Sequence, residues 1–483
     1  MDICIIYASE DESVAGLLVA LLKKHWDVWW AKDINKGDWE EAVKNAVNQT
    51  KSVVAIISTQ SVSKHIFKDE LSYANKIGRD IFPFVIEKTD LPLGYNYLNR
   101  TDAYSWMGQI NHEGYQLLLN KLSKELGHLP KSDVQLGRMT ELMIGNKLLR
   151  IPCFAFSLSS HETQINPKDG VDLLRALNPP SVLLSAYDVW KLKGDKRFMK
   201  SSRSLNESKS VFFLDSGNYE ASRKGQRYSS RANPEGWKRK EFDAVVAALK
   251  PDLVFTFDNP DPKNDIKKIT KLTIDEYSRE TKIFAAFNSK ICPIIHLPKV
   301  AKADIKKMAS KILFDVAKAV DPIMLAIPER ELGDGICTRA ETVKAIRNSL
   351  NKTGKYYPLH ILGTGNPISM VVLASAGADS FDGLEWCRTA ADYTNGHLFH
   401  FQHFDLLKNK CIGQIHSSLV RQLVESSDVP YAMKVASFNL DYYLDWVRTM
   451  QDMIHSGQTE YLLRNTLPSL GTDLYNRLYI CNI

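Results

Sequence analysis

The 483-residue sequence contains no CxxC pair, no P-loop, no GxGxxG after a strand, no internal repeat, no low-complexity tract and no apolar run long enough to cross a membrane. Each absence narrows the field. Seven cysteines, at 4, 153, 292, 337, 387, 411 and 481, are odd in number and scattered, which points to buried reduced thiols rather than a disulfide framework. Met1 leads straight into a charged, strand-like segment rather than a signal sequence, so a cytoplasmic location is expected. What is present is ordinary globular material: 44% hydrophobic residues over a length that suits two or three domains. The net charge of +6 is unevenly placed, with 14 Lys and Arg against 17 Asp and Glu in residues 1–130, and 14 against 5 in residues 191–240 alone.

Residues 1–130 alternate strand and helix patterns. Strand runs at Ile3–Tyr7, Val28–Trp30, Val53–Ser58 and Ile81–Ile86, with a weaker one near Ala103–Trp106, are separated by helical segments. The first helix opens on a Ser9-x-x-Glu12 capping box, and Gly127 and Pro130 stop the last. Five strands in alternation with helices imply a flavodoxin-like parallel sheet covered on both faces.

The order of features in this segment, the start IIYASEDES, the loop DINKGDWEEAV, then VVAIISTQSVSKHIFKDEL and DIFPFVI, resembles a TIR domain. In TIR domains that cleave NAD, a glutamate on the helix after the third strand is catalytic, within a pattern like Ser-x-x-Trp-x-x-x-Glu-Leu. The resemblance assigns that role to Glu70, followed by Leu71, with Ile66 in place of the tryptophan. A carboxylate near the C-terminal edge of a parallel sheet can stabilise the oxocarbenium-like sugar that forms as nicotinamide departs. Ala8, Ser9, Trp30 and Ser58 fall at the same edge and are candidate NAD contacts. The bland alternative makes Glu70 a solvated helix carboxylate. The resemblance also implies homo-oligomers, with the loop at Ile34–Glu40 touching a neighbour.

Residues 131–150 are expected to be a linker and residues 151–458 a (β/α)8 barrel, with 459–483 as a C-terminal tail. Eight β-like runs support this: Phe154–Ser157, Val182–Ser185, Val211–Asp215, Leu253–Asp258, Ile291–Leu297, Ile323–Ile327, Leu359–Leu362 and Asp379–Asp382. The stretch LHILGTGNPISMVVLASAGADSFDGLEWCR, from Leu359 to Arg388, reads as strand, glycine loop, helix and strand with an acid at the end. It resembles the nucleophile region of tRNA-guanine transglycosylases through Gly363, Gly365, Pro367, Gly377, Asp379, Phe381 and Asp382. Three further motifs follow the family's order: Asp215-Ser216-Gly217-Asn218-Tyr219-Glu220, Phe257-Asp258, and SFNLDYYLDW near the C-terminus. The resemblance implies base exchange, with Asp382 as nucleophile, Asp215 handling protons, and Asp258, His296, Gly363 and Gly365 around the base and sugar. An acidic rim satisfied by Lys and Arg is the structural alternative, and for Asp258 the two readings balance.

Departures from the family pattern matter as much. Phe438 occupies the position of a zinc-binding histidine and no Cys-x-Cys-x-x-Cys run precedes it, so the structural zinc is expected to be absent. His397, His400 and His403 are interleaved with Phe399, Phe401 and Phe404, which favours packing over a metal. The fifth strand ends in His296-Leu297-Pro298 and the sixth in Ile327-Pro328-Glu329-Arg330-Glu331, changes that put guanine itself in doubt. Residues 191–240 carry Phe198, Tyr219, Tyr228 and Trp237 among their basic residues, an arrangement that can track phosphates and stack bases. The glycine pair Gly363 and Gly365 opens a helix whose amides are weak candidates for a phosphate. Together the two resemblances imply a prokaryotic antiphage effector that hydrolyses NAD+, its only implied small-molecule substrate, under control of a barrel that senses a nucleobase, nucleoside or nucleic acid. The alternatives are a base-exchange glycosyltransferase on tRNA or DNA with the TIR domain as oligomeriser, and a scaffold with two binding modules. No membrane partner and no catalytic metal are expected.

Overall fold

The first sheet is built from β1 (Ile3–Ile6), β2 (Val28–Trp29), β3 (Ser52–Ile57), β4 (Asp80–Val85) and β5 (Thr101–Asp102), all parallel, in the order β2-β1-β3-β4-β5. The computed structural model describes residues 1–23, 26–33, 39–108, 112–127, 137–159, 163–218, 236–258, 265–298 and 305–479. The chain divides into two compact units, Met1–Gln135 with the short segments Ser456–Glu460 and Tyr475–Asn482, and Leu136–His455 with Tyr461–Leu474.

In the first unit every side chain of β1 and β3 is buried, because helices cover both faces of the sheet. Helices Glu12–Leu22 and Glu113–Leu126 pack on one face around Leu18, Val54, Phe84 and Leu118. The helix His65–Lys76 packs on the other through Phe67, Leu71 and Ala74, one stripe at helical spacing. The fifth strand differs from expectation. The apolar residues Ala103 and Trp106 are not the strand but the turn after it. Trp106 fills the core edge-on to Phe84 at 5.1 Å and stacked on Tyr115 at 5.7 Å, while the polar pair Thr101–Asp102 makes the ladder. Apolar character here marks burial, not β conformation. The loop at Ile34–Glu40 lies outside the described residues, apart from the start of helix Trp39–Gln49.

The second unit opens within the span expected as a linker: β6 (Glu141–Ile144) and β7 (Lys147–Arg150) form an antiparallel hairpin. Leu142, Ile144 and Leu149 join the core cluster of the barrel interior, alongside Val211, Phe213, Phe255 and Ala326. Eight parallel strands follow: β8 (Cys153–Leu158), β9 (Ser181–Ser185), β10 (Val211–Asp215), β11 (Leu253–Phe255), β12 (Lys290–Cys292), β13 (Leu325–Pro328), β14 (Leu359–Leu362) and β15 (Ser380–Gly383). Neighbours in sequence are neighbours in space, and β15 returns to β8. Between β12 and β13 the ladder shrinks to a bridge at Ile294 and Ala326, so the barrel is nearly closed. The fifth strand is shorter than the apolar run Ile291–Leu297 suggests because Pro293 has no N–H to give the ladder; the Thr256 hydroxyl accepts the Ile294 N–H instead, at 3.0 Å. No helix of the described residues is long and apolar enough to cross a membrane.

Two acids in one motif part company here. Asp379, just before β15, is fully buried and accepts from Arg347 Nη2, from the Tyr356 hydroxyl at 2.6 Å and from the Leu359 N–H at 3.0 Å, with Arg138 3.1 Å away. It is a structural carboxylate. Asp382, three residues on, is at the opposite end of the strand. Removing one member of a buried, hydrogen-bonded ion pair leaves the other charge uncompensated. Asp379→Ala is therefore expected to destabilise the second unit by about 3–5 kcal/mol in denaturant unfolding, whereas Asp382→Asn stays within about 1 kcal/mol of wild type.

Candidate functional site

The glycine loop and β15 build one wall of a cavity at the C-terminal mouth of the barrel. Gly363 has φ +76°, a left-handed conformation that suits glycine, and this turns its N–H onto Asp382 Oδ1 at 2.8 Å. At Gly365 a Cβ would lie 1.9 Å from Glu385 Oε2 and 3.1 Å from the Gly383 Cα, so a side chain there would displace Glu385. Asn366 caps the following helix Pro367–Ala376 by accepting from the N–H groups of Ile368 and Ser369. The Gly363 amide and the helix start are thus engaged inside the protein, which removes the phosphate reading of this turn.

The helix Tyr431–His455 holds this wall from outside. The Tyr443 hydroxyl donates to the Gly365 carbonyl at 2.6 Å, and Asn439 Nδ2 donates to the carbonyls of Trp386 and Thr389 at 2.8 and 2.6 Å while its Oδ1 accepts from the Ala391 N–H. SFNLDYYLDW is therefore a support for the site rather than part of its chemistry. Phe438 is buried against Tyr393 and Phe404, in an apolar cluster with Cys411. Among the described residues, no group of three or more His, Cys, Asp or Glu side chains is placed to hold a metal ion.

Asp215, Asp258, His296, Gly363 and Asp382 line one cavity of about 320 Å³, a size suited to a small organic ligand. Asp382 accepts from the Ser157 hydroxyl at 3.0 Å and the Gly363 N–H, and His360 Nε2 lies 3.2 Å away. Asp258 accepts from the Ser216 hydroxyl at 2.6 Å, and its Oδ2 is 2.7 Å from His296 Nε2. Asp215 accepts the Gly217 N–H at 3.0 Å; burial, reinforced by the charges of Asp258 and Asp382, pushes its carboxyl up to about 7. Burial pulls the His296 imidazole down, but hydrogen bonds to Asp258 and Glu331 outweigh it and hold the ring up at about 9. Glu385 also lines the cavity. Its Oε2 is buried without a hydrogen-bond partner, and burial raises its carboxyl, with Asp382 and Glu329 adding to the effect.

Sequence reasoning did not single out Ser157, His360, Glu331 or Glu385. The first two had a usable signal, since Ser157 closes the first strand run and His360 lies on the strand before the glycine loop. Glu385 had none, because only the fold brings it against Gly365 and Gly383. The basic segment is partly corrected: Phe198 and Trp237 are buried in the barrel layer, with Trp237 packed against Tyr187, Trp190 and Phe257, so neither is free to stack a base. Arg197 there is paired with Asp172. Tyr219 and Tyr228 lie outside the described residues.

In the first unit, Ala8, Ser9 and Ser58 stand at the C-terminal edge of the sheet. Ser58 is fully buried, caps the helix Thr59–Ser63 and donates its hydroxyl to Asp11 at 2.6 Å, tying the ends of β1 and β3 together. Burial raises the Asp11 carboxyl against the pull of that bond. Ser9 is exposed and bonds Glu10. Trp30 is half-buried against Gly16 and tilted over Tyr7, a packing role. Glu70 lies on the second turn of the helix His65–Lys76, beside the buried stripe of Phe67 and Leu71, while Ile66 faces solvent at 58% exposure. Glu70 Oε1 is buried and has no hydrogen-bond partner. Burial, with a smaller push from Asp69, raises its carboxyl to about 8; burial also pushes up the Cys4 thiol on β1, and Glu70 is near enough to add to that.

Residues 3–119 match the TIR domain family. A comparison of the chain with curated proteins finds no match. The TIR domain accounts for the whole five-stranded sheet and includes Glu70, and the barrel lies beyond its matched span.

Glu70 makes the stability of the TIR domain depend on pH with a definite sign. A carboxyl raised from 4.5 to about 8 on folding contributes stability that is full below its unfolded value and is lost as pH rises to the folded one. Glu70→Gln is expected to melt with wild type near pH 4 and well above it (~15 °C) near pH 8.5, measured by thermal unfolding at both pH values. Equal offsets at the two would contradict an unpaired Glu70.

Proposed function

We propose that the TIR domain hydrolyses NAD+, with Glu70 as the catalytic carboxylate, and that the barrel binds a nucleobase, nucleoside or nucleotide unit that controls it. The observation that carries the first half is Glu70 Oε1, a buried oxygen with no partner of its own. A buried carboxyl kept neutral for want of a counter-charge ionises when a ligand brings one, and NAD+ carries its positive charge on the nicotinamide ring next to the bond to be broken. As the C1′–N bond breaks, its electron pair goes to the ring nitrogen and neutral nicotinamide leaves. Positive charge then appears on the ribose, where the Glu70 carboxylate stabilises it. Water adds to C1′ and releases a proton, giving ADP-ribose. The pairing of such a domain with a sensing barrel fits an antiphage effector, and contacts between TIR domains would assemble it.

A second reading is supported by the convergence of Asp382, Asp215 and Asp258 on one cavity. It makes the barrel a transglycosylase-type enzyme that exchanges a base, with Asp382 attacking the sugar.

Glu70→Gln is expected to lower NAD+ cleavage by about 10²–10⁴-fold while Asp382→Ala leaves it intact, as read by nicotinamide release. Retained cleavage in Glu70→Gln, or labelled-base incorporation lost only in Asp382→Ala, would favour the second reading. Because the carboxylate is the working form, kcat/KM should rise with pH through about 8. The cationic ring should draw the inflection in kcat to lower pH, since opposite charge favours the ionised acid.

A further inference from the structure

The cavity brings together three aspartates that are not equally supplied with donors. Asp382 has the Ser157 hydroxyl, the Gly363 N–H and the His360 ring around it. Asp258 has the Ser216 hydroxyl on Oδ1, Asn218 Nδ2 3.3 Å from the same oxygen, and His296 Nε2 on Oδ2. His296 is itself held from behind. Its Nδ1 is 2.7 Å from Glu331 Oε1, and Glu331 Oε2 accepts the Leu297 N–H at 2.7 Å. A ring with a carboxylate oxygen at each nitrogen donates from both, and so is an imidazolium. Asp215, by contrast, is crowded by the charges of Asp258 and Asp382 and, among the described residues, has only backbone N–H groups to receive. When like charges crowd one site and one member lacks compensation, that member keeps its proton.

We infer that His296, clamped between Asp258 and Glu331, is the positioning residue of the barrel cavity: it fixes Asp258 as a carboxylate, so that Asp215 carries the proton and offers an O–H donor to the ligand. The ligand class follows, given the base-pocket reading on which this rests: a neutral heterocyclic base that turns an acceptor, a ring nitrogen or carbonyl oxygen, toward Asp215. Asp258 then orders the pocket and does not read the base edge, because its oxygens are already committed to Ser216, Asn218 and His296. Among the described residues, the other charged groups around the cavity are Glu329, Arg330, Arg339, Glu385 and Arg388, and Glu329 is paired with Arg339 at 2.7 Å.

The charge assignment can be read without any ligand. Isotope-edited infrared difference spectra of the full chain, with aspartate labelled at its carboxyl carbon and Asp11 replaced by Asn because burial raises its carboxyl too, separate aspartic acid from the buried glutamates Glu70, Glu385 and Glu280, the last on the helix Ile266–Phe284. At about pH 6 the wild type should show a labelled acid band that Asp215→Asn removes. In His296→Gln the band should persist to higher pH by about one unit. His296→Asn should shift it the same way, and serves if His296→Gln does not fold. A band that survives Asp215→Asn in the presence of His296, or a midpoint indifferent to both His296→Gln and His296→Asn, would overturn the assignment. Guanosine titrated by calorimetry tests the ligand class: binding should weaken about tenfold between about pH 6 and pH 8.5 in wild type and not in Asp215→Asn. Equal affinity at both pH values rejects the acceptor-facing donor, whereas no binding at either, with the spectra as expected, rejects the base pocket alone.

Discussion

Parallel strands that end at one mouth of a barrel deliver their terminal side chains to the same small volume, and here three of those side chains are carboxyl groups. Their mutual repulsion is the constraint that the rest of the barrel answers. Seryl hydroxyls at 157 and 216, the amide turned inward at Gly363 and the imidazole at 296 are each set against a particular oxygen. Even the outer helix contributes, since Tyr443 fixes the loop that carries Gly363 and Gly365. The cavity remains open because its charges are held apart by groups that are themselves held.

The TIR domain solves the opposite problem. Glu70 Oε1 is left without a donor, while the carboxylates at the sheet edge are matched, Asp11 with Ser58 and Glu87 with Thr59. An unmatched buried oxygen is a local energetic defect. The two units therefore place their acids in different surroundings: three aspartates set among several donors in the cavity, and a single raised carboxyl, Glu70, on a helix.

Much of this was legible from the chain. The five-stranded alternation and the eight barrel strands emerged from apolar runs and glycine or proline punctuation, and Asp215, Asp258, His296 and Asp382 all came to one cavity. Reading failed where a residue type has two uses. Ala103 and Trp106 are core fillers beyond a strand, Phe198 and Trp237 are core aromatics inside a basic stretch, and Pro293 cuts an apolar run that otherwise looks continuous. Glu331 and Glu385 were invisible for another reason. Their roles depend on contacts across the barrel, to His296 and to the paired glycines, and no local pattern encodes a distance between strands.

The reach of the helix Tyr431–His455 changes where the barrel ends. By strands alone it finishes at Gly383, and a protein trimmed shortly after that point would retain all eight strands and every acid of the cavity. It would nevertheless lose the hydroxyl that grips Gly365 and the amide that pins Trp386 and Thr389, so one wall of the mouth would have nothing behind it. The boundary of the working unit is set by what braces the last loop, some seventy residues beyond the last strand, between Gly383 and the end of the helix at His455.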